Sequence, residues 1–485
     1  MPDPRHLLVV LLAAPLGAQT QFVTLTPAAV AVARPMDAVA ADFDGDGDLD
    51  LFTCTSLAGL FAGQPGRCLL RNDGDEQFTN ISATALPPQA GLMANGRTVA
   101  ADFDGDGDVD VFGAMTGGVI YWRNVGGTFV DTGFTDTGGY TDLVAADLDG
   151  DGDADIAASG QPLAASTNTL FVNQGTGTFV RANVLPLVWG ISIAATDLDG
   201  DGDRDLLLST TTGLLVLRNG GGLLFTDVSA AWVSGLVPGA VREFVAGDLD
   251  GDGDPDLVVA RQGAASDDVL LNSGGTFVAG ASLPAVASSI GLALADIDED
   301  ADLDLWRGGT GGIELLLGSG TGGFTSGASR HGPLGAQSPV LLPFDFDRDG
   351  DLDLLVCEPF LPPVLLANRH RDLRPGQPVI GQPWQPSLWS QPGYAATPHL
   401  VTLGIALFEL AQPVALAGVG ELALDFAGPV ALFAGATPVP GYAAVFALTV
   451  PNAPPLVGLP LHLQGLIDAP PSPPRLSAWF TVQVQ

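Results

Sequence analysis

One nine-residue pattern, present seven times, limits what this chain can fold into. Asp-x-Asp-x-Asp-x-Asp-x-Asp begins at Asp42, Asp102, Asp147, Asp197, Asp248, Asp296 and Asp345, at intervals of 60, 45, 50, 51, 48 and 49 residues. A second marker trails the first six copies: RNDGDEQF at 71–78, RNVGGTF at 123–129, VNQGTGTF at 172–179, RNGGGLLF at 218–225, LNSGGTF at 271–277 and the drifted LGSGTGGF at 317–324. Two markers held in register at one period define a structural repeat that buries its faces against neighbouring copies.

Each period reads as four short strands. One apolar stretch enters the acidic motif, as in Thr98–Ala101 and Ile191–Ala195, and another leaves it, as in Leu206–Leu208 and Leu257–Ala260. A third precedes the Asn-Gly turn (Leu69–Leu70, Leu270–Leu271), and the Phe after that turn opens a fourth. Four antiparallel strands joined by Gly-rich turns make a propeller blade. The expected fold is therefore all-β: a seven-bladed β-propeller over residues 19–370, followed by a small β-sandwich domain. The seventh repeat lacks a Phe-led fourth strand, whereas QFVTLT at 21–26 matches the post-turn strands TFVDTG and LFTDVS. The N-terminal strand is thus expected to complete the last blade and leave fewer free sheet edges.

The acidic loops have the chemistry of calcium sites. Calcium is a hard cation that takes six to eight oxygens, and carboxylates at alternate loop positions can converge on it. In the first loop Asp42, Asp44, Asp46 and Asp50 would offer side chains from positions one, three, five and nine, and Asp48 at position seven its backbone carbonyl. The equivalent sets are Asp102, Asp104, Asp106, Asp108 and Asp110; Asp147, Asp149, Asp151, Asp153 and Asp155; and Asp197, Asp199, Asp201, Asp203 and Asp205. They continue with Asp248, Asp250, Asp252, Asp254 and Asp256; Asp296, Asp298, Asp300, Asp302 and Asp304; and Asp345, Asp347, Asp349, Asp351 and Asp353. Gly47, Gly107, Gly152, Gly202, Gly253 and Gly350 stand at position six, where a sharp turn needs positive φ. The sixth loop has Ala301 there and an added Glu299. Up to seven structural calcium ions are expected, the Asp296–Asp304 site being the weakest.

An EF-hand would need a Glu at position twelve. Thr53, Gly113, Ala158, Leu208, Val259, Arg307 and Val356 stand there instead, with β-rich flanks, so that reading is excluded. Solvated acidic turns are the plainer alternative, but carboxylates packed this densely repel one another unless a cation lies among them.

DFDGDGDLDL with a downstream RNxGxGxF resembles the FG-GAP/VCBS repeats of secreted bacterial proteins and of the integrin α-chain head. The resemblance spans roughly residues 20–370. It implies a seven-bladed propeller with calcium between the first and second strands of the blades. It does not imply one function, since such propellers serve in adhesion, as lectins and in some polysaccharide lyases.

Charge points the same way. The net charge is −37, yet 36 of the 55 acidic residues lie in the seven motifs. All 18 basic residues are Arg, so lysine chemistry is excluded, and no basic stripe exists to neutralise nucleic acid. Arg5 and His6 precede an apolar run from Leu7 to Leu16 and the small pair Gly17–Ala18, which reads as a signal peptide over residues 1–18. The expected location is secreted or cell-surface, with no membrane insertion and a monomeric chain. HExxH and GxSxG are absent, and His331, His370, His399 and His462 are scattered. Gly318, Gly320 and Gly323 fit GxGxxG inside a hairpin turn, without the helix a nucleotide site requires. No catalytic residue is assigned. The expected role is a non-enzymatic binding, adhesion or scaffold module for an extracellular protein or glycan, with a lectin or polysaccharide lyase as the alternative.

Cys54 and Cys68 fall on adjacent strands and are expected to form a disulfide, with Cys357 a buried thiol; a Cys54–Cys357 bond is the alternative. A partner is expected on the face away from the acidic loops, where Phe61, Arg67, Trp189, Trp232 and Arg242 are candidates, each of which could equally be a packing residue. Residues 371–398 form a Pro-rich linker. In the tail domain, 399–485, LVGLPLHLQGLI at 456–467 and the final SAWFTVQVQ resemble C-terminal accessory domains of secreted planctomycete-type bacterial proteins.

Overall fold

Alternating apolar stretches and Gly turns produce seven four-stranded antiparallel sheets in the computed structural model. It describes residues 22–368 outside 31–34, 55–65, 74–76, 89–96, 161–167, 234–238, 262–265, 285–288, 332–339, 348–350, 359–362 and a few shorter gaps. Beyond 368 it describes strands, and before 22 only Ala14–Pro15. Most of the segment expected to be a signal peptide, with Phe61, Glu299, Asp349 and Gly350, therefore lies outside the described residues, as does most of the expected linker.

Blade one comprises Asp37–Ala41, Asp50–Cys54, Arg67–Asn72 and Phe78–Asn80. Blade two comprises Thr98–Ala101, Asp110–Met115, Gly118–Val125 and Thr128–Asp136. Blade three comprises Tyr140–Ala146, Asp155–Gly160, Thr169–Asn173 and Phe179–Ala182. Blade four has Gly190–Thr196, Asp205–Thr210, Gly213–Asn219 and Phe225–Asp227, and blade five Val241–Gly247, Asp256–Arg261, Asp268–Leu271 and Val278–Ala279. Blade six has Ser289–Ala295, Asp304–Gly309, Gly312–Gly318 and Phe324–His331.

Blade seven contributes Val340–Phe344, Asp353–Cys357 and Val364–Asn368. Its fourth strand is Phe22–Leu25, paired antiparallel from Phe22 with Asn368 to Leu25 with Leu365. The N-terminal strand closes the ring as expected. First strands of successive blades touch in turn, and the seventh touches the first.

Second strands are buried along nearly all their length, and throughout in Asp155–Gly160, because a neighbouring blade covers each face. That explains their unbroken apolar runs. The core accordingly divides into clusters between blades. Phe43, Phe52, Trp122 and Phe129 fill the junction of blades one and two, and Phe112, Tyr121, Phe171 and Phe179 that of blades two and three.

The cysteine pairing is corrected here. No disulfide joins Cys54, Cys68 or Cys357, and all three are buried. Thr53, not Cys54, stands opposite Cys68, and alternate residues of a strand face opposite sides. Cys54 therefore packs toward blade two, while Cys68 and Cys357 share the cluster between blades seven and one.

Beyond the ring, His399–Ala406, Val430–Thr437, Pro460–Asp468 and Arg475–Gln483 form a four-stranded antiparallel sheet, and Glu409–Leu416 pairs with Gly420–Leu424. The tail is thus β-rich, as expected. Among the described residues no helix is long and apolar enough to cross a membrane.

Candidate metal centres in the acidic loops

Each loop between first and second strands is built from its own carboxylates. At position one, Asp42 accepts Gly45 N–H at 2.8 Å on one oxygen and Gly47 N–H at 2.9 Å on the other. Asp102, Asp147, Asp197 and Asp248 repeat both bonds. At position five, Asp46 accepts Asp48 N–H at 2.9 Å. These bonds curl the loop so that side chains from distant positions meet. Position six takes φ of 89° at Gly47, 95° at Gly107 and 96° at Gly152, where only Gly avoids a steric penalty.

Ala301 holds the same position with φ of 77°, so the turn of loop six is strained. Replacing Ala301 with Gly should raise stability by about 1 kcal/mol, measured by denaturant unfolding; a loss of stability would contradict the strain.

Position nine does more than sequence reasoning assigned to it. Asp50 is fully buried, and each of its oxygens accepts a backbone N–H: Phe43 at 3.2 Å and Asn72 at 2.8 Å. Every blade repeats this clasp. Asp110, Asp155, Asp205, Asp256, Asp304 and Asp353 each bind the N–H at loop position two and one N–H of the third strand. The clasp joins loop to blade; Asp110 Oδ2 also accepts the Tyr121 hydroxyl at 2.8 Å, and Asp304 Oδ2 also accepts Asp298 N–H at 3.3 Å.

The loops gather acceptors without enough donors. Oxygens of Asp42, Asp44 and Asp50 lie within 4.8 Å of one another, as do those of Asp102, Asp104 and Asp110; Asp147, Asp149 and Asp155; Asp197, Asp199 and Asp205; and Asp248, Asp250 and Asp252. At position three, Oδ1 of Asp104, Asp199, Asp250 and Asp298 is buried without a hydrogen-bond partner. Buried acceptors of this kind are rare unless a donor or ion completes them. Position seven differs: the side chains of Asp108 and Asp254 accept the N–H groups of Gly126 and Gly274 in the neighbouring turn. Asp345, Asp347, Asp351 and Asp353 belong to the seventh loop, in which Asp353 is clasped as in the others.

Burial, reinforced by neighbouring carboxylates, raises the position-nine acids. It pushes Asp50 up to about 7 and Asp110, Asp155, Asp205, Asp256 and Asp304 to about 6, against the lowering effect of their N–H donors. Asp44, Asp104 and Asp149 are raised by burial and then by the acid at position five. Asp298 reaches about 7 through burial and the charges of Asp304, Asp300 and Asp296. A divalent cation would remove this repulsion.

The partner-face candidates separate. Arg67 is 7% exposed, donates to Pro87 O at 2.6 Å and lies 4.0 Å over the Trp122 ring, so it is a packing residue. Trp232 packs on Gly275, where a Cβ would come within 2.7 Å of its ring, in a turn on the acidic side of blade five. Arg242 is half-buried, whereas Trp189 is 45% exposed beside Leu187 at 73%.

Two charged groups escaped the sequence reading. Five residues before the first five motifs, on the innermost strands or just ahead of them, stand Asp37, Arg97, Asp142, Ser192 and Glu243 in successive blades. Arg97 reaches Asp37 at 3.3 Å and Asp142 at 3.7 Å, and Ser192 donates to Glu243 at 3.0 Å. Aligning the repeats upstream of the motif would have revealed this ring. The other group is Arg307, 1% exposed, which donates to Glu314 and, at 3.1 Å, to Asp267 in blade five.

Comparison with known proteins identifies the repeat. Residues 102–158, 197–259 and 248–307 match the FG-GAP-like repeat family. A structure of an Agrocybe aegerita lectin, described as recognising non-reducing terminal N-acetylglucosamine, aligns at TM-score 0.43 and 23% identity over 59% of this chain and 78% of that one. A BBS1N–ARL6DN complex soaked with mercury aligns at TM-score 0.47 and 11% identity over 72% and 97%. No curated protein matches. The propeller assignment rests on strand order, not on these overlaps.

Proposed function

From a chain that carries FG-GAP-like repeats wound into a seven-bladed propeller, we infer an extracellular, non-enzymatic binding or scaffold module whose acidic loops are stiffened by calcium. The observation that carries the calcium reading is the set of buried, unpartnered position-three oxygens beside converging carboxylates. An all-oxygen, multiply charged donor set suits a hard cation, and calcium tolerates its irregular geometry better than magnesium does. The ions are structural in this reading, and their loops position the blades.

In this reading the protein is exported, which fits its FG-GAP-like repeats and the calcium supply outside cells. An extracellular protein or glycan partner is placed on the face away from the loops. Support comes from Leu187 and Trp189, presented on a connection that Asn168 fixes by donating to Pro186 O at 2.9 Å and Val188 O at 3.3 Å. A fixed aromatic is a favourable anchor for a partner.

Chelation tests the reading. One site held at a hundred times its Kd stabilises by about 2.7 kcal/mol, so several sites should shift the melt by more than about 10 °C. The expected result is that drop on EDTA treatment, reversed by calcium and not by sodium chloride of equal ionic strength. An unchanged melt after verified metal removal contradicts the reading.

A further inference from the structure

The Asn of the second marker does more than open a turn. In blade five the backbone N–H of Asn272 donates to Asp256 of its own loop at 2.7 Å, while its Nδ2 donates to Leu198 O, position two of the preceding loop, at 2.8 Å. Asp256 in turn accepts the N–H of Leu249, position two of loop five, at 2.8 Å. One residue thus ties two consecutive acidic loops together. Asn72 does the same to Phe346 O at 2.7 Å, Asn124 to Phe43 O at 2.8 Å and Asn173 to Phe103 O at 2.8 Å. Asn219 binds Leu148 O at 2.8 Å and Asn368 binds Ile297 O at 3.1 Å.

Blade six interrupts the series. Gly318 replaces Asn, and a Cβ there would come within 2.4 Å of Leu303 O, so no side chain fits. Gly318 N–H still clasps Asp304 at 2.8 Å, but the carbonyl of Leu249 is held by Gly322 N–H, a different residue of the turn. Loop five therefore reaches Asp304 only through the turn from Gly322 back to Gly318, not through one residue. At this same junction the buried Arg307–Asp267 ion pair joins the two blades instead.

We propose that the six asparagines couple the acidic loops, so that cations fill them as one linked series running from loop six through seven and one to loop five, broken between five and six. This rests on the calcium reading. An ion that orders one loop fixes its position-two peptide and its position-nine clasp together. The next Asn is then already held, and the adjacent loop has less to order when its own ion binds. Coupling of this kind is reciprocal between neighbours. The asparagines are positioning residues, since they hold loop carbonyls through Nδ2 and position-nine carboxylates through N–H.

The test is a calcium titration of the full mature chain by calorimetry, for wild type and Asn219→Ala. Wild type should fill with a Hill coefficient above one. Asn219→Ala should flatten the curve and weaken the flanking loops by about five-fold, within the usual range for coupled sites. Hydrogen exchange of Asp248→Asn in calcium supplies a second measurement that does not depend on that variant. Amides of loop four (197–205) should lose protection, while those of loop six (296–304) keep theirs. Independent filling in wild type, an Asn219→Ala isotherm that superimposes on wild type, or equal loosening of loops four and six would overturn the coupling while leaving calcium binding intact. A wild type that binds no calcium would remove both.

Discussion

Replacing Arg307 with Met is expected to destabilise the propeller by about 3–5 kcal/mol, the loss seen when one member of a buried ion cluster is removed. Asp267 is 4% exposed, and Glu314 is 8% exposed. Arg307 donates to Glu314 from Nε at 3.0 Å and to Asp267 at 3.1 Å, and Ser289 donates to Asp267 at 2.6 Å. Met fills a similar volume, so the loss reports the two buried acids deprived of their guanidinium and not a cavity. Replacing all three charged residues by apolar ones should restore much of the stability, because the desolvation burden leaves with the charges. Equilibrium urea unfolding of the single and triple variants measures both. A single variant within about 0.5 kcal/mol of wild type, the range of an ordinary surface change, would show that the cluster is not buried.

The second large effect belongs to the clasp. Asp155→Ala strands two buried N–H donors, those of Leu148 and Asn173, which Asp155 accepts at 3.0 and 2.7 Å. Each stranded donor costs about 1–3 kcal/mol, for a total of about 2–6 kcal/mol. Asp155→Asn should not rescue it, since the amide NH2 would face one of the same donors. This separates an acceptor role from a purely ionic one. Full rescue by Asn in a thermal melt without calcium would contradict the clasp.

The ring was legible because its signals repeat. Position-six glycines, the post-turn Phe and the apolar second strands recur in register, and each answers to one physical need. Even the closing strand Phe22–Leu25 could be read, as a Phe-led strand missing at one end and present at the other. Cys54 and Cys68 were misread because strand adjacency says nothing about parity, and one residue of offset sends the thiols into different cores. Position nine looked like a ligand alone, since the N–H groups it clasps come from backbone and leave no letter in the sequence. Arg307 breaks the repeat, standing where the other blades carry Thr, Gly, Ala, Leu or Val, while Asp37, Arg97, Asp142, Ser192 and Glu243 keep one repeat position but vary in residue type and charge. A search for periodicity passes over residues whose partners lie on another blade.

Native mass spectrometry in ammonium acetate with trace calcium counts the ions directly. Six or seven bound calcium ions on the folded chain, with the sixth-loop variant Asp298→Asn losing no more than one, is the predicted spectrum. A folded chain that carries none, or one whose adducts rise without a plateau as calcium is added, would contradict carboxylate loops as cation sites.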